Sequence, residues 1–487
     1  MAFDWSTFGV DLHLDLTTSP SQQGRRAGLE RALREAIRAG RLAPQSRLPS
    51  TRALAAQLGL SRGTVSAAYD QLVAEGYLSA VTGSGTTVAA LGRPAVHKGQ
   101  PASVHKAPRY DLRPGSPDVS SFPTAAWLRS ARRALTGAPA SDFGYGDPAG
   151  HPRLRAALAE YLGRARGVLA TPDQVVVTSG YVQALSLLAG VVGGPVAMED
   201  PGLAFHRDVV RRTGAVVVPL PVDERGACTA ELSQADGVRA VVLTPAHQYP
   251  TGVTLHPERR RAATGWARSR GGLVIEDDYD GEFRYDRQPV GALQGTAPDQ
   301  VAYLGTTSKT LGPALRLAFI VLPQRFVAPV VEAKHLADVH TETLGQLTLA
   351  DLITSHAYDR HVRAGRARYR RRRDLLVRRL APLRRHGMTV HGIAAGLHVM
   401  IGLPAAGPSE QEVLDRAAAR GLGLSGLAEH WHVSSEPDGR SASSRAEGGD
   451  RPKGLVVGYA AAGEGSYPAA LDTLARTLRG LSGPTRA

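Results

Sequence analysis

Cysteine is almost absent from this sequence, since Cys228 is the only one in 487 residues. A single thiol excludes a disulfide within the chain and a zinc site built from several cysteines, and we expect no metal centre. No run of apolar residues reaches the roughly 18 that a membrane helix needs. The first residues, MAFDWSTFGVDLHLDL, also lack the basic region and apolar core of a signal peptide. We therefore expect a cytoplasmic protein with no membrane partner.

Acidic residues are outnumbered: 44 Asp and Glu face 58 Lys and Arg, which gives a formal net charge of +14. This excess favours an anionic partner, and nucleic acid is the first candidate. Many of the arginines fall in one run, from Arg360 to Arg385, in which Asp374 is the only acid. Such a run is either a solvated helix face or a second contact with DNA, and the sequence leaves both open.

Residues 21–90 have the pattern of a winged helix-turn-helix. The segment GLERALREAIRAG carries apolar residues at helical spacing. Two more helices, TRALAAQL and SRGTVSAAYDQLVAEG, follow the capping residues Ser50 and Ser61, and a tight turn at Gly59 joins them. The alternating segment YLSAVTGSGTTVA then predicts a β-hairpin, which would form the wing.

A recognition helix enters the major groove of DNA by its N-terminal residues. Here Arg62 can bind a guanine edge or a phosphate, while Arg47 and Arg52 would lie near the DNA backbone. The tip of the wing would reach the minor groove or a phosphate. The residues that we expect to contact double-stranded DNA are Arg47, Arg52, Ser61, Arg62, Gly63, Thr64, Ser84 and Gly85.

The rest of the chain predicts a large α/β domain. Residues 1–20 form an N-terminal arm, and residues 91–108 are a Pro- and Gly-containing linker without periodicity. Residues 436–454 have the composition of a disordered loop within the domain at 109–487. Near-continuous apolar runs predict strands buried on both faces of a mostly parallel sheet. These runs are QVVVTS, PVAMED, AVVVPL, AVVLTP, GLVIEDD, VAYLGTTS and LAFIVLP.

Three features give Lys309, in TTSKTLGPALRL, a chemical context. The strand IEDDYDGEF ends in acids, at the place where α/β sheets bind ligands. In TSGYVQAL, the backbone N–H groups of Gly180, Tyr181 and Val182 begin a helix and can face a phosphate, and Arg316 can bind the same phosphate. A lysine amine, an acid and a phosphate cradle are what pyridoxal 5′-phosphate requires, so we expect this cofactor.

Two resemblances cover nearly the whole chain. The stretch LPSTRALAAQLGLSRGTVSAAYDQLVAEGYLSAVTGSGTTVA resembles the winged-helix domain of GntR-family bacterial regulators. From Tyr110 onward, the stretches YGDPAGHPRLRAALAEYL, TSGYVQAL, EDPG, TPAHQYPTG, IEDDYDGEFRY and GTTSKTLGPALRL resemble fold-type I aminotransferases. The combination is similar to the MocR subfamily of GntR regulators. It implies a mostly parallel central sheet, a smaller C-terminal α+β subdomain and a head-to-tail homodimer with two winged helices on two half-sites.

The resemblance also implies roles for individual residues. Lys309 would form the Schiff base with the cofactor (the internal aldimine), Asp277 would pair with the pyridine nitrogen, and Tyr279 would donate to the ring hydroxyl. His247 and Gln248 precede the PTG turn, where aminotransferases place an Asn near that hydroxyl. The residues expected to hold the phosphate are Gly180, Tyr181, Val182, Thr306, Ser308 and Arg316.

Two departures from the aminotransferase pattern bear on function. Leu203 follows EDPG where relatives often carry a Tyr near the cofactor, and Phe205 is the candidate replacement. Val456 stands in the C-terminal strand where catalytic aminotransferases bind the substrate carboxylate with an Arg, and Arg451 precedes that strand. A missing charged hydrogen bond costs roughly 1.5–3 kcal/mol, so the site is poorly suited to an ordinary amino acid.

We therefore expect a transcription regulator that senses pyridoxal phosphate itself, in the branch of the subfamily that activates vitamin B6 synthesis. One alternative is a regulator that senses an amino acid or amine by transaldimination at Lys309. Another is a slow aminotransferase with a DNA-binding head. Sustained turnover is not expected from this site, and the domain is read as a vestigial aminotransferase that retains Schiff-base chemistry.

Overall fold

A computed structural model describes residues 22–81, 85–90, 108–285, 290–432 and 451–480. The chain divides into two compact units, residues 1–105 and 106–487. The expected N-terminal arm, residues 91–107 of the expected linker, residues 436–450 of the expected loop, and Ser84 lie outside the described residues. In the part of the chain that is described, no helix combines the length and the apolar character needed to cross a bilayer.

The first unit is a three-helix domain with a two-stranded antiparallel sheet. Ser50 and Ser61 cap the second and third helices by accepting hydrogen bonds from Ala53 N and Thr64 N, and Gly59 turns between them in the left-handed conformation at φ 66°. In the sheet, Leu78 pairs with Val88. The elements are α1 (Gln22–Arg38), α2 (Thr51–Leu58), α3 (Arg62–Ala74), β1 (Leu78–Val81) and β2 (Gly85–Val88).

This unit has its own hydrophobic core. Each helix has one apolar face, and these faces pack together because no single short helix can bury its own apolar surface. Of the side chains that carry the helical spacing in the sequence, Leu58 is half-buried against this core. The others are buried: Leu29, Leu33, Ala36, Ile37, Leu54, Val65, Ala68, Tyr69 and Leu72.

The second unit is built on an eight-stranded sheet in the order β4-β11-β10-β9-β8-β5-β6-β7. The four pairings from β10 to β6 are parallel, while β11 and β7 run antiparallel to their neighbours. All seven apolar runs of the sequence are strands of this sheet. The strands are β4 (Val175–Thr178), β5 (Val196–Asp200), β6 (Val217–Asp223), β7 (Gly226–Ala227), β8 (Ala240–Leu243), β9 (Leu273–Asp277), β10 (Val301–Thr306) and β11 (Ala318–Val321).

Both faces of this sheet are covered. Side chains alternate between faces along a strand, so Val176 packs in one core while Val175 and Val177 pack in another. This double burial explains why the strands are continuous apolar runs, and it confirms the prediction of a mostly parallel sheet. The helices of this unit up to the C-terminal subdomain are α4 (Thr124–Thr136), α5 (Pro152–Arg166), α6 (Tyr181–Val192), α7 (Ala204–Arg211), α8 (Pro257–Arg270), α9 (Gln324–Asp338) and α10 (Thr343–Thr354).

A smaller C-terminal α+β subdomain follows, as predicted. Its four strands are antiparallel in the order β12-β13-β16-β15. A separate parallel pair, β3 with β14, joins the start of this unit to the subdomain. The remaining elements are β3 (Tyr110–Asp111), α11 (Ala357–Leu380), β12 (Thr389–His391), β13 (His398–Gly402), α12 (Glu410–Ala419), β14 (Leu422–Gly423), β15 (Ser425–Gly426), β16 (Gly454–Gly458) and α13 (Tyr467–Arg479).

The arginine run lies on α11 and the short helical segment after it, and only part of it is a solvated face. Arg371 is exposed, but its neighbour Arg372 is buried and donates to Asp118 and to the carbonyl of Ala460. Arg366 donates to the carbonyl of Glu282 at 2.8 Å. Residues of the run therefore divide between interior contacts and the surface.

Candidate functional site

A cavity of about 240 Å³ lies at the C-terminal ends of the parallel strands. Glu199 of β5, Asp277 of β9 and Thr306 of β10 reach it from three strand ends, and Thr244 follows β8. Parallel strands that end at one edge of a sheet bring their terminal side chains together, which is where such sheets bind ligands. Lys309 lines the same cavity, so the lysine and the acid of IEDDYDGEF meet there.

One end of the cavity has the features of an anion cradle. Gly180 has φ 104° and stands immediately before α6, so the first N–H groups of that helix, at Tyr181 and Val182, lie at the cavity wall. Arg316 donates to the carbonyl of Ser179 at 2.7 Å and lies against Gly180, so a Cβ at residue 180 would collide with the guanidinium group.

Hydroxyl groups from the strand end complete this cradle. The Thr306 hydroxyl donates to Ser308 Oγ at 2.9 Å and accepts the Ser308 N–H at 3.1 Å. Both residues line the cavity with Arg316. Helix N–H groups, two hydroxyls and a guanidinium are donors that together suit a phosphate group.

The Lys309 amine reaches the cavity and donates to the carbonyl of Gly115. Burial lowers the pKa of this amine, while the nearby carboxyls of Asp277 and Asp280 act in the opposite direction. A lysine with a lowered pKa has a larger fraction of neutral amine, which is the nucleophilic form. The residue is therefore suited to forming a Schiff base with an aldehyde.

Asp277 is buried at the wall of the cavity. Within the described residues, its Oδ1 and the Tyr181 hydroxyl have no hydrogen-bond partner of normal geometry. Burial raises the pKa of Asp277 to about 8. A buried carboxyl with an unpartnered oxygen fits a ligand that brings a cationic N–H, as a protonated pyridine nitrogen does. The residues present therefore fit pyridoxal phosphate.

Tyr279 lines the cavity, but the two residues expected beside it do not. His247 lies behind Tyr279, with Nδ1 3.1 Å from the tyrosine hydroxyl. Gln248 is buried and hydrogen-bonds to the Pro201 carbonyl. Tyr249 lines the cavity instead. The sequence feature that could have identified Tyr249 is its position directly before the PTG turn, because the residue next to this turn lines the cavity.

The structure also places Phe205 outside the cavity, with 58% of its surface exposed. His206 takes the position expected for it and stacks on Tyr181, with ring centroids 4.5 Å apart. Burial lowers the pKa of His206 to about 3, so this imidazole is neutral. Both residues lie in the first turn of α7, where a step of one residue turns the side chain by about 100°.

No arginine occupies the place from which a carboxylate would be bound in the C-terminal strand. Val456 is fully buried in β16, between β13 and β15. Arg451 stacks on the Trp431 ring at 5.2 Å and does not line the cavity. Arg207, which the sequence reasoning missed, does line it, and its guanidinium donates to the carbonyls of Gly202, His430 and Trp431.

In the first unit, the N-terminus of α3 is exposed at Ser61, Arg62 and Gly63. The Thr64 hydroxyl lies 2.8 Å from Oγ of the capping residue Ser61, so one hydrogen bond of this hydroxyl is already formed within the helix cap. Arg47 and Arg52 are also exposed, and neither they nor Arg62 form an ion pair with any described residue.

The base of the wing lies close to one of these arginines. A Cβ at Gly85 would come 3.0 Å from Arg47 Nε, and residue 47 pairs with Thr87 of β2. The arginine and the base of the wing therefore form one surface, and Arg47, Arg52 and Arg62 are guanidinium groups without an ion pair in the described residues that could meet an anionic partner.

Comparison with known proteins matches these two units to two families. Residues 26–88 match the model of bacterial regulatory proteins of the gntR family. Residues 112–437 match the model of aminotransferase class I and II.

Two relatives extend across both units. The pyridoxine biosynthesis transcriptional regulator PdxR of Corynebacterium glutamicum is 32% identical, over 83% of this chain and 88% of its own. The probable rhizopine catabolism regulatory protein MocR of Rhizobium meliloti is 35% identical, over 84% of this chain and 87% of its own.

Solved structures agree on the fold of the second unit. LysN, an α-aminoadipate aminotransferase from Thermus thermophilus crystallised with N-(5′-phosphopyridoxyl)-L-leucine, is 25% identical with a TM-score of 0.65. The match covers 76% of this chain and 92% of that one. An N-terminal DNA-binding family and an aminotransferase fold thus occur in one chain, and relatives share both parts. The chain belongs to the MocR subfamily of the GntR family of transcriptional regulators.

Proposed function

We propose that this protein binds pyridoxal 5′-phosphate at Lys309 and regulates transcription in response to the cofactor itself. The observation that carries this proposal is the single cavity that holds Lys309, Asp277 and the cradle around Gly180. The cofactor supplies an aldehyde for the amine and a ring that withdraws electrons. The chain's own residues would hold it at three points: its lysine, its buried acid and its phosphate cradle.

The residue in the middle of β16 favours the cofactor over an amino acid as the signal. Val456 offers no charge to a substrate carboxylate, and Arg451 is engaged with Trp431. A carboxylate directed toward the Val456 position would lose water without gaining the paired hydrogen bonds of an arginine there. The cofactor brings its own anion, the phosphate, and the cradle already provides for it.

We propose activation of vitamin B6 synthesis genes as the output. The name of the Corynebacterium glutamicum relative refers to pyridoxine biosynthesis, which supports this pathway. In this scheme, pyridoxal phosphate is the end product of the regulated genes, and its binding makes transcription depend on its concentration. Control of this kind requires that DNA-bound and free states of the protein bind the cofactor with different affinity.

We also propose a head-to-tail homodimer, with two winged helices on two half-sites. Exposed apolar side chains on the second unit support a partner surface: Tyr145 is 92% exposed, Leu336 81% and Phe143 58%. Large exposed apolar residues of this kind occur where another chain packs.

Arg207 supports a second candidate, a regulator that senses an amino acid or an amine at the same lysine. It lines the cavity and forms no ion pair with a described carboxylate, since its three hydrogen bonds all go to carbonyl oxygens. Asp200 and Asp208 lie near enough to act on its charge, but a guanidinium without a carboxylate at hydrogen-bond distance can still attract an anionic ligand. Slow transamination of such a ligand would follow from the same lysine chemistry.

The test is fluorescence anisotropy of DNA from upstream of the gene and its divergent neighbour, at one fixed salt concentration. Cofactor-free protein and protein reloaded with pyridoxal phosphate are titrated in parallel. We expect a change in affinity or stoichiometry that the Lys309→Ala variant does not show. Identical binding curves would contradict the proposal, and an additional response to amino acids or amines would favour the second candidate.

A further inference from the structure

Three side chains form a buried hydrogen-bonded group behind the cavity wall. His247 Nδ1 lies 2.8 Å from Asp280 Oδ2 and 3.1 Å from the Tyr279 hydroxyl. His247 and Asp280 are each 3% exposed, and neither lines the cavity. Only Tyr279 reaches it. The hydrogen bonds of His247 and Asp280 therefore reach a ligand through this tyrosine, while the charge of Asp280 also acts on the Lys309 amine.

The geometry determines which ring nitrogen of His247 carries the proton. Asp280 Oδ2 lies 2.8 Å from His247 Nδ1, and a carboxylate oxygen can only accept a hydrogen bond, so Nδ1 bears the hydrogen. The other nitrogen, Nε2, is buried and has no hydrogen-bond partner among the described residues. A buried N–H without an acceptor is rarer and more costly than a bare lone pair, so Nε2 is unprotonated.

The ring is also fixed in orientation. Gly396 has φ 72° and lies so close to His247 that a Cβ there would collide with the imidazole and with Asp280. A Cβ at Gly252 would come 3.3 Å from Nε2. Backbone without side chains thus packs on two sides of the imidazole. The ring cannot turn Nδ1 away from Asp280 and Tyr279 without a rearrangement of both segments.

We propose that Asp280 and His247 are positioning residues that make Tyr279 a donor into the cavity. Asp280 lies near both His247 and the Tyr279 hydroxyl, and it takes the Nδ1–H. The shared Nδ1–H approaches the tyrosine oxygen, and the hydroxyl hydrogen of Tyr279 points at the ligand when one is bound. This inference rests on the proposed function, because the acceptor is the oxygen on the cofactor ring. A hydroxyl that receives a hydrogen bond donates more strongly, since hydrogen bonds in a chain polarise one another.

The consequence is a preference for the ionised form of the ring oxygen. A strong donor stabilises an oxyanion more than a neutral hydroxyl. The ionised and neutral forms of the lysine-bound cofactor absorb at different wavelengths, so their ratio at one pH reports the donor in the His247 variants, which leave the carboxyls near Lys309 unchanged. That ratio does not depend on turnover or on DNA.

The experiment uses the full-length protein reloaded with pyridoxal phosphate and records absorption spectra of four proteins at one pH: wild type, His247→Asn, His247→Leu and Asp280→Asn. An asparagine amide can place an N–H near the position of Nδ1, whereas leucine cannot. In Asp280→Asn, the new amide donates to Nδ1 and the histidine changes to the Nε2–H tautomer. Cofactor affinity is measured on the same samples.

We expect His247→Leu and Asp280→Asn to lower the fraction of the ionised band and to weaken cofactor binding by roughly three- to tenfold. His247→Asn should restore most of both. Equal spectra for wild type and His247→Leu, with only a lower melting temperature, would overturn the proposal and leave a packing role. A wild-type protein without any lysine-dependent band would overturn the proposed cofactor site, and this inference with it.

A metal ion is the rival explanation for the same residues. Donor atoms of His247, Asp280 and His398 all lie within 4.8 Å of one another. A metal bound at Nδ1 would take the lone pair of that nitrogen and so remove the hydrogen that our assignment places there. Stoichiometric zinc in the purified protein, with a spectrum that changes on chelation, would overturn the tautomer and the proposal. A metal-free protein with the spectra expected above would support them.

Discussion

Arg372 and Asp118 form an ion pair inside the second unit, with Nη2 and Oδ2 2.9 Å apart and both side chains about 5% exposed. The same guanidinium donates to the carbonyl of Ala460 at 2.7 Å. These contacts join α11 to the segment before α4 and to the end of the small sheet. One arginine of a strongly basic run is thus a structural residue, although the sequence around it is typical of a charged surface.

Replacing Arg372 by Ala should destabilise the protein by up to about 3–5 kcal/mol, because it leaves the buried Asp118 carboxylate with only the more distant guanidinium of Arg368, whose Nε is 3.8 Å away. The matched control is Arg371→Ala, one residue earlier on the same helix and exposed. It should change stability by less than about 0.5 kcal/mol. Thermal or urea unfolding of the two variants measures the free energy of unfolding. A similar loss of stability in both variants would contradict a structural role specific to Arg372.

The role of the phosphate cradle in cofactor binding can be tested by substituting two glycines at and within α6. Gly180→Ala should abolish cofactor binding, because the left-handed φ of 104° disfavours a side chain and its Cβ would displace Arg316. Gly190→Ala, within α6, meets nothing within 4 Å and should leave binding unchanged. It should also raise helix stability by up to about 1 kcal/mol. Absorption of the lysine-bound cofactor and thermal unfolding are the measurements.

The buried Asp277 makes the cofactor-free protein less stable as pH rises. Burial raises its folded-state pKa to about 8, while the unfolded value is near 3.8. Between these values the folded state holds a proton that the unfolded state has released, so folding becomes less favourable by at most about 1.4 kcal/mol per pH unit. The melting temperature of the cofactor-free protein should therefore fall between about pH 6 and 8.

The Asp277→Asn variant should lose this component, since its amide does not titrate. Glu199, whose pKa burial raises to about 7, is present in both proteins, so the difference between their profiles isolates Asp277. Parallel profiles for the two proteins would show that Asp277 is ionised throughout. The cofactor should flatten the wild-type profile, because a cationic ring nitrogen pairs with the ionised acid.

DNA binding should depend on unpaired arginines. Arg62→Ala should weaken DNA binding and, if the contact is with a phosphate, reduce the slope of log K against log salt by about 0.9. Arg34→Ala is the control within the same unit, because Glu75 already holds that guanidinium at 2.8 Å. Salt-dependent anisotropy titrations measure both. An equal loss in the two variants would point to net charge alone.

The exposed part of the arginine run is tested by the same titration. Arg371→Glu should lower DNA affinity by less than Arg62→Ala does. An equal or larger loss would make α11 a second DNA contact. Arg372 is unsuitable for this test, because reversing a buried charge would change the fold before it changed any surface.

Local pattern was sufficient for much of this fold. Seven apolar runs became strands of the large sheet, and Ser50, Gly59 and Ser61 cap and turn the helices of the first unit as predicted. These features depend on side-chain periodicity and on backbone chemistry within a few residues, both of which are visible in a sequence. The antiparallel direction of β11 was not visible, because strand direction depends on how the chain returns to the sheet.

The sequence by itself determined the chemistry of this protein: a lysine, an acid at a strand end, a glycine before a helix, and basic residues on a helix-turn-helix. Only the tertiary structure decided which neighbours reach the cavity. It brings in Tyr249, His206 and Arg207 and excludes Phe205 and Gln248. The physical reason is that the direction of a side chain at a turn or in a first helical turn changes sharply from one residue to the next, and long-range packing selects the direction.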